Sequence, residues 1–297
     1  MPAKKIQQRL TIAVFYHIPA FFMVLFFLIT PTPSFGTPDN EEIREDIRKF
    51  QKFFQNRFPT VKLETYQDGV NGLPQYSHRI KNWKLLSSVP IHIREIRGME
   101  KDWEQSFVDG SSLATCFSDK PPGNQYPYFN GTSIRTIVGD INDCLSIHSE
   151  QALNANRAKM AKLVAFYKSK ANGQPVSIDY SSPMIRDAYQ KGRQYYWTRR
   201  GQRNFSCASC HVQNSGNQIR SDVISAALGQ STGFPVYRTA WALQGQPWGT
   251  IHRRYASCHM QAGAVPPLPQ SAEYIALQVY QGIMNTGIPL KVPGRRQ

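Results

Sequence analysis

The chain has 297 residues, enough to bury a sizeable core and, as a rough prior, to form about two domains. Its composition, with 41% hydrophobic and 12% aromatic residues, is ordinary for a globular protein. The formal net charge of +15 favours anionic partners, but no nucleic-acid-binding motif accompanies it. We therefore exclude nucleic acid and expect acidic proteins or small oxyanions.

The first 36 residues have the organisation of a secretory signal peptide. Lys4, Lys5 and Arg9 precede an apolar run from Leu10 to Ile29, and a small-x-small end follows at residues 34–36. The alternative is an uncleaved membrane anchor, because the run approaches the ~20 residues that span a bilayer. We predict cleavage, which leaves a periplasmic chain without stable membrane insertion. Its 32 Lys and Arg against 20 Asp and Glu still give a net charge of +12.

The mature chain begins with a predicted amphipathic helix. Asp39 can cap it, Pro59 stops it, and four apolar residues recur at helical spacing between them: Ile43, Ile47, Phe50 and Phe54. Residues 60–100 contain turn dipeptides, and the segment SVPIHIREI alternates weakly. We expect short strands or loops there.

Two helical units follow from the rest of the pattern. A helix is predicted from Cys144 to Gly173, and a polar, turn-rich linker at residues 175–183. The second unit starts near Pro183 with a helix that runs into a cysteine pair, and it finishes with a helix capped by Ser271. The sequence thus predicts a mainly α protein with domains at residues 37–175 and 183–297.

The segment RNFSCASCHVQ carries the strongest chemical signal in the chain. Cys207, Cys210 and His211 form a Cys-x-x-Cys-His element, which supplies two thiols for the porphyrin vinyl groups and an axial imidazole for the iron. A redox Cys-x-x-Cys would not need the histidine, and a structural zinc site would need a second ligand pair at compatible spacing. We therefore predict one covalently bound haem c.

The sixth ligand of the iron has three adjacent candidates in the segment RRYASCHMQAG. These are Cys258, His259 and Met260, and the spacing from His211 does not choose between them. With Met260 or His259 the protein would be a simple periplasmic electron-transfer cytochrome c. If the haem takes Cys207 and Cys210 and two other cysteines pair, Cys258 is the leftover thiol, and ligation of iron would explain its presence.

Four further segments are informative when taken together: GRQYYWTRRGQRNFSCASCHVQ, GFPVYR, HRRYASC and SAEYIALQVY. They resemble the SoxA family, the larger cytochrome subunit of the thiosulfate-oxidising SoxAX complex, and the resemblance extends over most of the mature chain. It implies two cytochrome c-like domains, a ligand at Cys258 that is often a persulfide, and L-cysteine S-thiosulfotransferase activity on thiosulfate. It also implies a small SoxX-type cytochrome as heterodimer partner and a SoxYZ-type sulfur carrier protein as substrate.

The chain departs from one feature that some members of the family have. Where those members bind a second haem in the N-terminal domain, this chain reads CFSDK, with Asp119 and Lys120 in place of the second cysteine and the histidine. We expect no haem in that domain. In single-haem members two cysteines there form a disulfide, which the resemblance places at Cys116 and Cys144.

The proposed chemistry is covalent catalysis at Cys258, with thiosulfate held by arginine. Arg254 lies four residues before Cys258, so both project from one face if the segment is helical, and a guanidinium can bind the sulfonate end. The resemblance gives Arg254 an active-site role and makes Arg220 and Arg238 further candidates for substrate binding. His252 and His259 flank the site, and we assign them no catalytic role.

Overall fold

The computed structural model describes residues 37–88, 91–219 and 222–296. The signal-peptide prediction and Arg220 lie outside the described residues. The α-helices are α1 Asn40–Arg57, α2 Ser77–Ser88, α3 Ile91–Arg97, α4 Met99–Glu104, α5 Leu113–Cys116, α6 Ile137–Ile147, α7 Ala158–Ser169, α8 Pro183–Trp197, α9 Thr239–Ala242, α10 Ile251–Ala262 and α11 Ala272–Met284. Three 3-10 segments are Leu63–Gly72, Pro74–Tyr76 and Gly123–Gln125, and a π-helical turn covers Ser209–Gln213. The predicted mainly α class is confirmed.

Short strands join the helices. They are β1 Tyr128–Phe129, β2 Ile134–Arg135, β3 Gln218–Ile219, β4 Asp222–Val223, β5 Val236–Arg238, β6 Trp248–Gly249 and β7 Gly294–Arg296. β1 pairs with β2 and β3 with β4, both antiparallel. β5 lies between β6, to which it is antiparallel, and β7, to which it is parallel. The pairing of β5 with β7 brings Arg295 beside Tyr237 and Arg296 beside Arg238.

The predicted first helix is present as α1. The Asp39 side chain accepts a hydrogen bond of 2.8 Å from the backbone N–H of Glu42, and four residues at helical spacing are buried: Ile43, Ile47, Phe50 and Phe54. These side chains belong to one hydrophobic cluster with residues of α8 and α11. The N-terminal helix therefore packs on the core that lies behind the cysteine segment.

Three predictions of local structure are wrong. The helix that starts at Pro183 ends at Trp197 and does not run into the cysteine pair. Residues 91–97 form α3 rather than strands, because His92 and Ile96, four residues apart, both face the protein interior. The long helix predicted from Cys144 is two helices, α6 and α7, separated by residues 148–157. The Asn142 side chain pairs with both backbone polar groups of Leu153, which holds the intervening loop against α6.

A second hydrophobic cluster combines α4–α7, and it includes Trp103, Phe117, Cys144 and Tyr167. Cys116 and Cys144 form a disulfide beside it, as the resemblance implies.

α8 and α11 pack closely in the first cluster: a Cβ at Gly192 would lie 2.0 Å from the carbonyl oxygen of Ala276. The predicted domain boundaries stay a prediction. In the part of the chain that the structure describes, no helix has the length and apolar character needed to cross a membrane.

Candidate functional site

The cysteine segment forms a helical turn, and two of its serine side chains cap the start of that turn. The Ser206 hydroxyl accepts a 2.9 Å hydrogen bond from the backbone N–H of Ser209, and the Ser209 hydroxyl accepts a 3.2 Å bond from the backbone N–H of Ser206. This reciprocal cap satisfies N–H groups at the start of the turn. The turn places Cys207, Cys210 and His211 on the wall of one large cavity.

His211 is held as a neutral imidazole. Its Nδ1 lies 3.0 Å from the carbonyl oxygen of Ser225, which can only accept, so Nδ1 carries the hydrogen and Nε2 keeps a lone pair. Burial lowers the pKa of His211 to about 4. The Gln230 amide nitrogen lies 2.9 Å from Nε2 and is placed to donate to its lone pair, so the Gln230 side chain, which lines the cavity, would have to move aside for Nε2 to bind a metal. A histidine with its Nδ1 fixed by a carbonyl has the form of a metal ligand.

The two attachment cysteines lie in surroundings that disfavour a charged sulfur. Burial, followed by the neighbouring Cys258, raises the pKa of Cys207 to about 12. Burial and Cys258 also raise the pKa of Cys210, against a lowering contribution from Arg254. A thioether carries no charge, so covalent attachment to a porphyrin suits both positions. Cys258 is close enough to both thiols to act on their ionisation.

Helix α10 forms the facing part of the wall. Thr250 caps it, and Gly263 ends it in the left-handed conformation with φ 72°. Arg254 and Cys258, one helical turn apart, both line the cavity, as their spacing predicts. The Nη1 atom of Arg254 is buried without a hydrogen-bond partner. A buried guanidinium nitrogen without a partner indicates a place for an acceptor, such as a carboxylate or an oxyanion.

The two rival sixth ligands are placed differently from Cys258. The Met260 side chain is 64% exposed and is not part of the cavity wall. His259 is buried at the wall, but its Nδ1 lies 2.8 Å from the Tyr255 carbonyl oxygen and its Nε2 lies 2.7 Å from the Tyr195 hydroxyl. Both of its ring nitrogens are thus engaged. Of the three adjacent candidates, Cys258 has a sulfur that faces the cavity.

The cavity has a volume of about 720 Å³ and a positive lining. Pockets that hold cofactors and drug-sized ligands have volumes of roughly 300–1,000 Å³, so a porphyrin fits by size. None of the described residues that line it is an Asp or Glu, whereas six are arginines: Arg200, Arg203, Arg238, Arg254, Arg295 and Arg296. Arg238 also lies over the Trp241 ring, 5.7 Å from its centroid. Propionates and sulfur oxyanions are the groups that such a lining attracts.

Several of these residues carry no signal in the sequence. Arg295 and Arg296 reach the cavity because β7 pairs with β5, a contact between segments far apart in the chain. Gln230 is bound from the other side by the Gln281 amide, which donates to its Oε1 over 3.2 Å. No sequence motif surrounds Gln230 or the two C-terminal arginines. Of the six lining arginines, the resemblance indicated Arg238 and Arg254, and only the net positive charge of the chain gave a general indication of the other four.

The cysteine segment, the buried imidazole and the helical fold together define a protein of the c-type cytochrome class. No family model matches the chain. It is 34% identical to the L-cysteine S-thiosulfotransferase subunit SoxA of Chlorobaculum tepidum, over 91% of this chain and 96% of that protein. It is 33% identical to the subunit of the same name from Allochromatium vinosum, over 88% and 91%.

The chain belongs to the SoxA family. This membership confirms the family and the enzyme class that the sequence predicts, an L-cysteine S-thiosulfotransferase. The fold is also similar to the crystal structure of SoxXA from P. pantotrophus, with a TM-score of 0.59, 24% identity, and coverage of 67% of this chain and 77% of that one. The roles of the individual site residues stay predictions.

Proposed function

We propose that the protein is the catalytic SoxA subunit of a periplasmic SoxAX enzyme that joins thiosulfate to a cysteine of a SoxYZ-type carrier protein. A new bond forms between the outer sulfur of thiosulfate and the cysteine sulfur. The thiol proton is released, and two electrons leave. The relatives carry the transferase in their names, and the structure adds a cavity in which a thiol and an arginine face the same space.

One haem c would be held by four residues of this cavity. Cys207 and Cys210 would attach it through thioether bonds, and Nε2 of His211 and the Cys258 sulfur would be its two protein ligands. When bound, haem would supply one-electron transfer, and a SoxX-type cytochrome in the heterodimer would receive the electrons of thiosulfate oxidation. We place the mature heterodimer in the periplasm, after cleavage of residues 1–36.

The remaining steps belong to the side chains of this chain. The guanidinium of Arg254, with an unpaired buried nitrogen, would bind the sulfonate end of thiosulfate and hold it beside Cys258. The arginine lining, which includes Arg238, would draw the dianion into the cavity. Arg220 would add to that attraction. Loss of two electrons joins the Cys258 thiolate to the outer sulfur of thiosulfate. The carrier thiolate then attacks that outer sulfur, the bond to Cys258 breaks, and Cys258 leaves as a thiolate. A persulfide on Cys258 would allow one sulfur to remain a ligand while the other reacts.

A single observation carries this proposal: Cys258 and Arg254 share the face of α10 that lines the cavity with Cys207, Cys210 and His211. The test is Cys258→Ala in the haem-loaded heterodimer. We expect loss of thiosulfate-dependent turnover with the carrier and loss of thiolate character in the iron spectrum. Met260→Leu is the matched control on the same helix, and we expect both readouts to be unchanged.

The arginine is tested separately by kinetics. Removal of one charged donor to a reacting oxyanion typically lowers kcat by about 100-fold or more, so Arg254→Gln should lose turnover while the spectrum is retained. Normal turnover and spectrum in Cys258→Ala would refute the transferase site. A changed spectrum in Met260→Leu would instead support a simple electron-transfer cytochrome.

A further inference from the structure

The disulfide has a histidine beside it. Cys116 ends α5, Cys144 lies on α6, and His148 is the residue that caps the C-terminal end of α6. A ring nitrogen of His148 and both sulfurs lie within 4.8 Å of one another. None of these residues lines the large cavity, so the cluster is separate from the site described above.

The two sulfurs of the disulfide differ in access. Cys144 is 4% exposed and belongs to the hydrophobic cluster of α4–α7, whereas Cys116 is partly exposed at its edge. Thiol–disulfide exchange requires an incoming thiolate to reach one sulfur while the other leaves. Access therefore selects Cys116 as the sulfur attacked and Cys144 as the leaving sulfur. A thiolate at Cys144 would be a charge in apolar surroundings, which is costly unless a proton or a cation is near.

His148 is oriented as a proton donor. Its Nδ1 lies 2.5 Å from Oδ2 of Asp109 and 2.9 Å from the Ser111 hydroxyl. Hydrogen bonds from Ser111, followed by the bond from His148, lower the pKa of Asp109 to about 2, so the carboxylate is ionised and can only accept. Nδ1 therefore carries a hydrogen. Because Nδ1 is hydrogen-bonded to the carboxylate, Nε2 is the ring nitrogen left for proton exchange with Cys144.

We propose that Cys116 is a site of reversible S-thiolation by small thiols, with His148 as the proton donor to Cys144. The thiolate of the small thiol attacks the Cys116 sulfur, the bond between Cys116 and Cys144 breaks, and a mixed disulfide forms at Cys116. Cys144 leaves as a thiol by taking a proton from Nε2 of the His148 imidazolium, and the neutral imidazole keeps its hydrogen on Nδ1. One sulfur–sulfur bond replaces another, so the small thiol is oxidised to the disulfide level and Cys144 is reduced.

The reverse step restores the native bond. The Cys144 thiol returns its proton to His148, attacks the Cys116 sulfur and expels the small thiol. The Asp109–His148 pair acts in both directions, as a general acid and then as a general base. This activity goes beyond the proposed transferase and does not depend on it, because it uses no residue of the cavity.

The experiment treats the native, haem-loaded full chain with reduced glutathione at fixed pH, traps free thiols by alkylation and maps the modified peptides. We expect glutathione on Cys116 and the alkyl group on Cys144. In His148→Gln the adduct should form about 100-fold more slowly, the low end of what general acid catalysis contributes. His78→Gln removes an exposed histidine on α2 and should react like the wild type.

Asp109→Asn provides a second variant that keeps the imidazole and removes its carboxylate partner. It should also slow adduct formation, and far-ultraviolet circular dichroism checks that each variant is folded. Three results would overturn the proposal: an adduct that forms only in denaturant, an adduct on Cys144 or Cys258 instead of Cys116, or equal rates in His148→Gln and wild type. Peptide mapping keeps this outcome distinct from a failure of the transferase site, because Cys258 is followed separately.

Discussion

Acid should destabilise the protein through His252, a buried residue of α10. Its side chain is 1% exposed, and its Nδ1 accepts a 3.0 Å hydrogen bond from the backbone N–H of Gln270. The ring lies 5.7 Å from that of Tyr255 and 5.4 Å from that of Tyr274. Burial lowers the pKa of His252 to about 4 from the ordinary value of 6.5. A proton on Nδ1 would also oppose the Gln270 donor.

The lowered pKa sets the size and the direction of the effect. The unfolded chain binds a proton near pH 6.5, whereas the folded protein binds it only near pH 4. The stabilisation that comes from keeping His252 neutral is therefore fully present above pH 6.5, and it is lost as the pH falls toward 4. At roughly 1.4 kcal/mol per pH unit, the complete loss is about 3 kcal/mol, of which about 2 kcal/mol is lost by roughly pH 5.

The assay is the free energy of unfolding in urea at pH 7.5 and pH 5, in wild type and in His252→Gln. The variant should be less stable at pH 7.5 because hydrogen bonds are lost, but its further loss at pH 5 should be about 2 kcal/mol smaller than that of the wild type. His78→Gln is the matched control and should lose as much as the wild type. An equal loss in His252→Gln and wild type would refute the assignment of this acid sensitivity to His252.

Three further predictions concern the packing of the fold, each measured as a free energy of unfolding. Phe54→Ala should cost about 3–5 kcal/mol, because a fully buried ring is removed from α1, and a cost below ~1 kcal/mol would contradict the packing of this helix on the core. Replacement of Cys116 and Cys144 by Ala should cost about 3–4 kcal/mol, since the bridge closes a loop with a sequence separation of 28. The control is the wild type with its disulfide reduced. Equal stability with and without the bridge would contradict this prediction. Gly192→Ala should cost at least about 1–3 kcal/mol, because the new Cβ would overlap the Ala276 carbonyl and separate α8 from α11.

The parts of the fold that the sequence predicts well depend on local signals. α1 and α11 each have a capping side chain, Asp39 and Ser271, followed by apolar residues at helical spacing. The cysteine segment is also local, because two thiols and an imidazole within one turn of chain need no distant partner to be recognised. The same is true of Arg254 and Cys258, whose separation by one helical turn places them on one face.

The parts that the sequence does not predict depend on distant contacts. α3 has a weak alternation that favours a strand, and its helical form follows from the packing of Ile96 against Ala161 and Ala165 of α7 and against Trp248. Tertiary packing overrides weak local preference in such short segments. The convergence of arginines on the cavity likewise depends on the pairing of β5 with β7, which no short pattern encodes.

The choice between a transferase and an electron carrier depends on the phase of α10. Successive residues on an α-helix are rotated by about 100°, so Cys258 and Met260 differ by about 200° and cannot both face the cavity. Arg254, four residues before Cys258, is only about 40° away from it. The rotation of α10 about its axis is also defined by two other residues: His252 faces the protein interior, and Met260 faces solvent. An iron ligand supplied by Met260 would require α10 to rotate by about half a turn, which would bury Arg254 in the core and expel His252 from it.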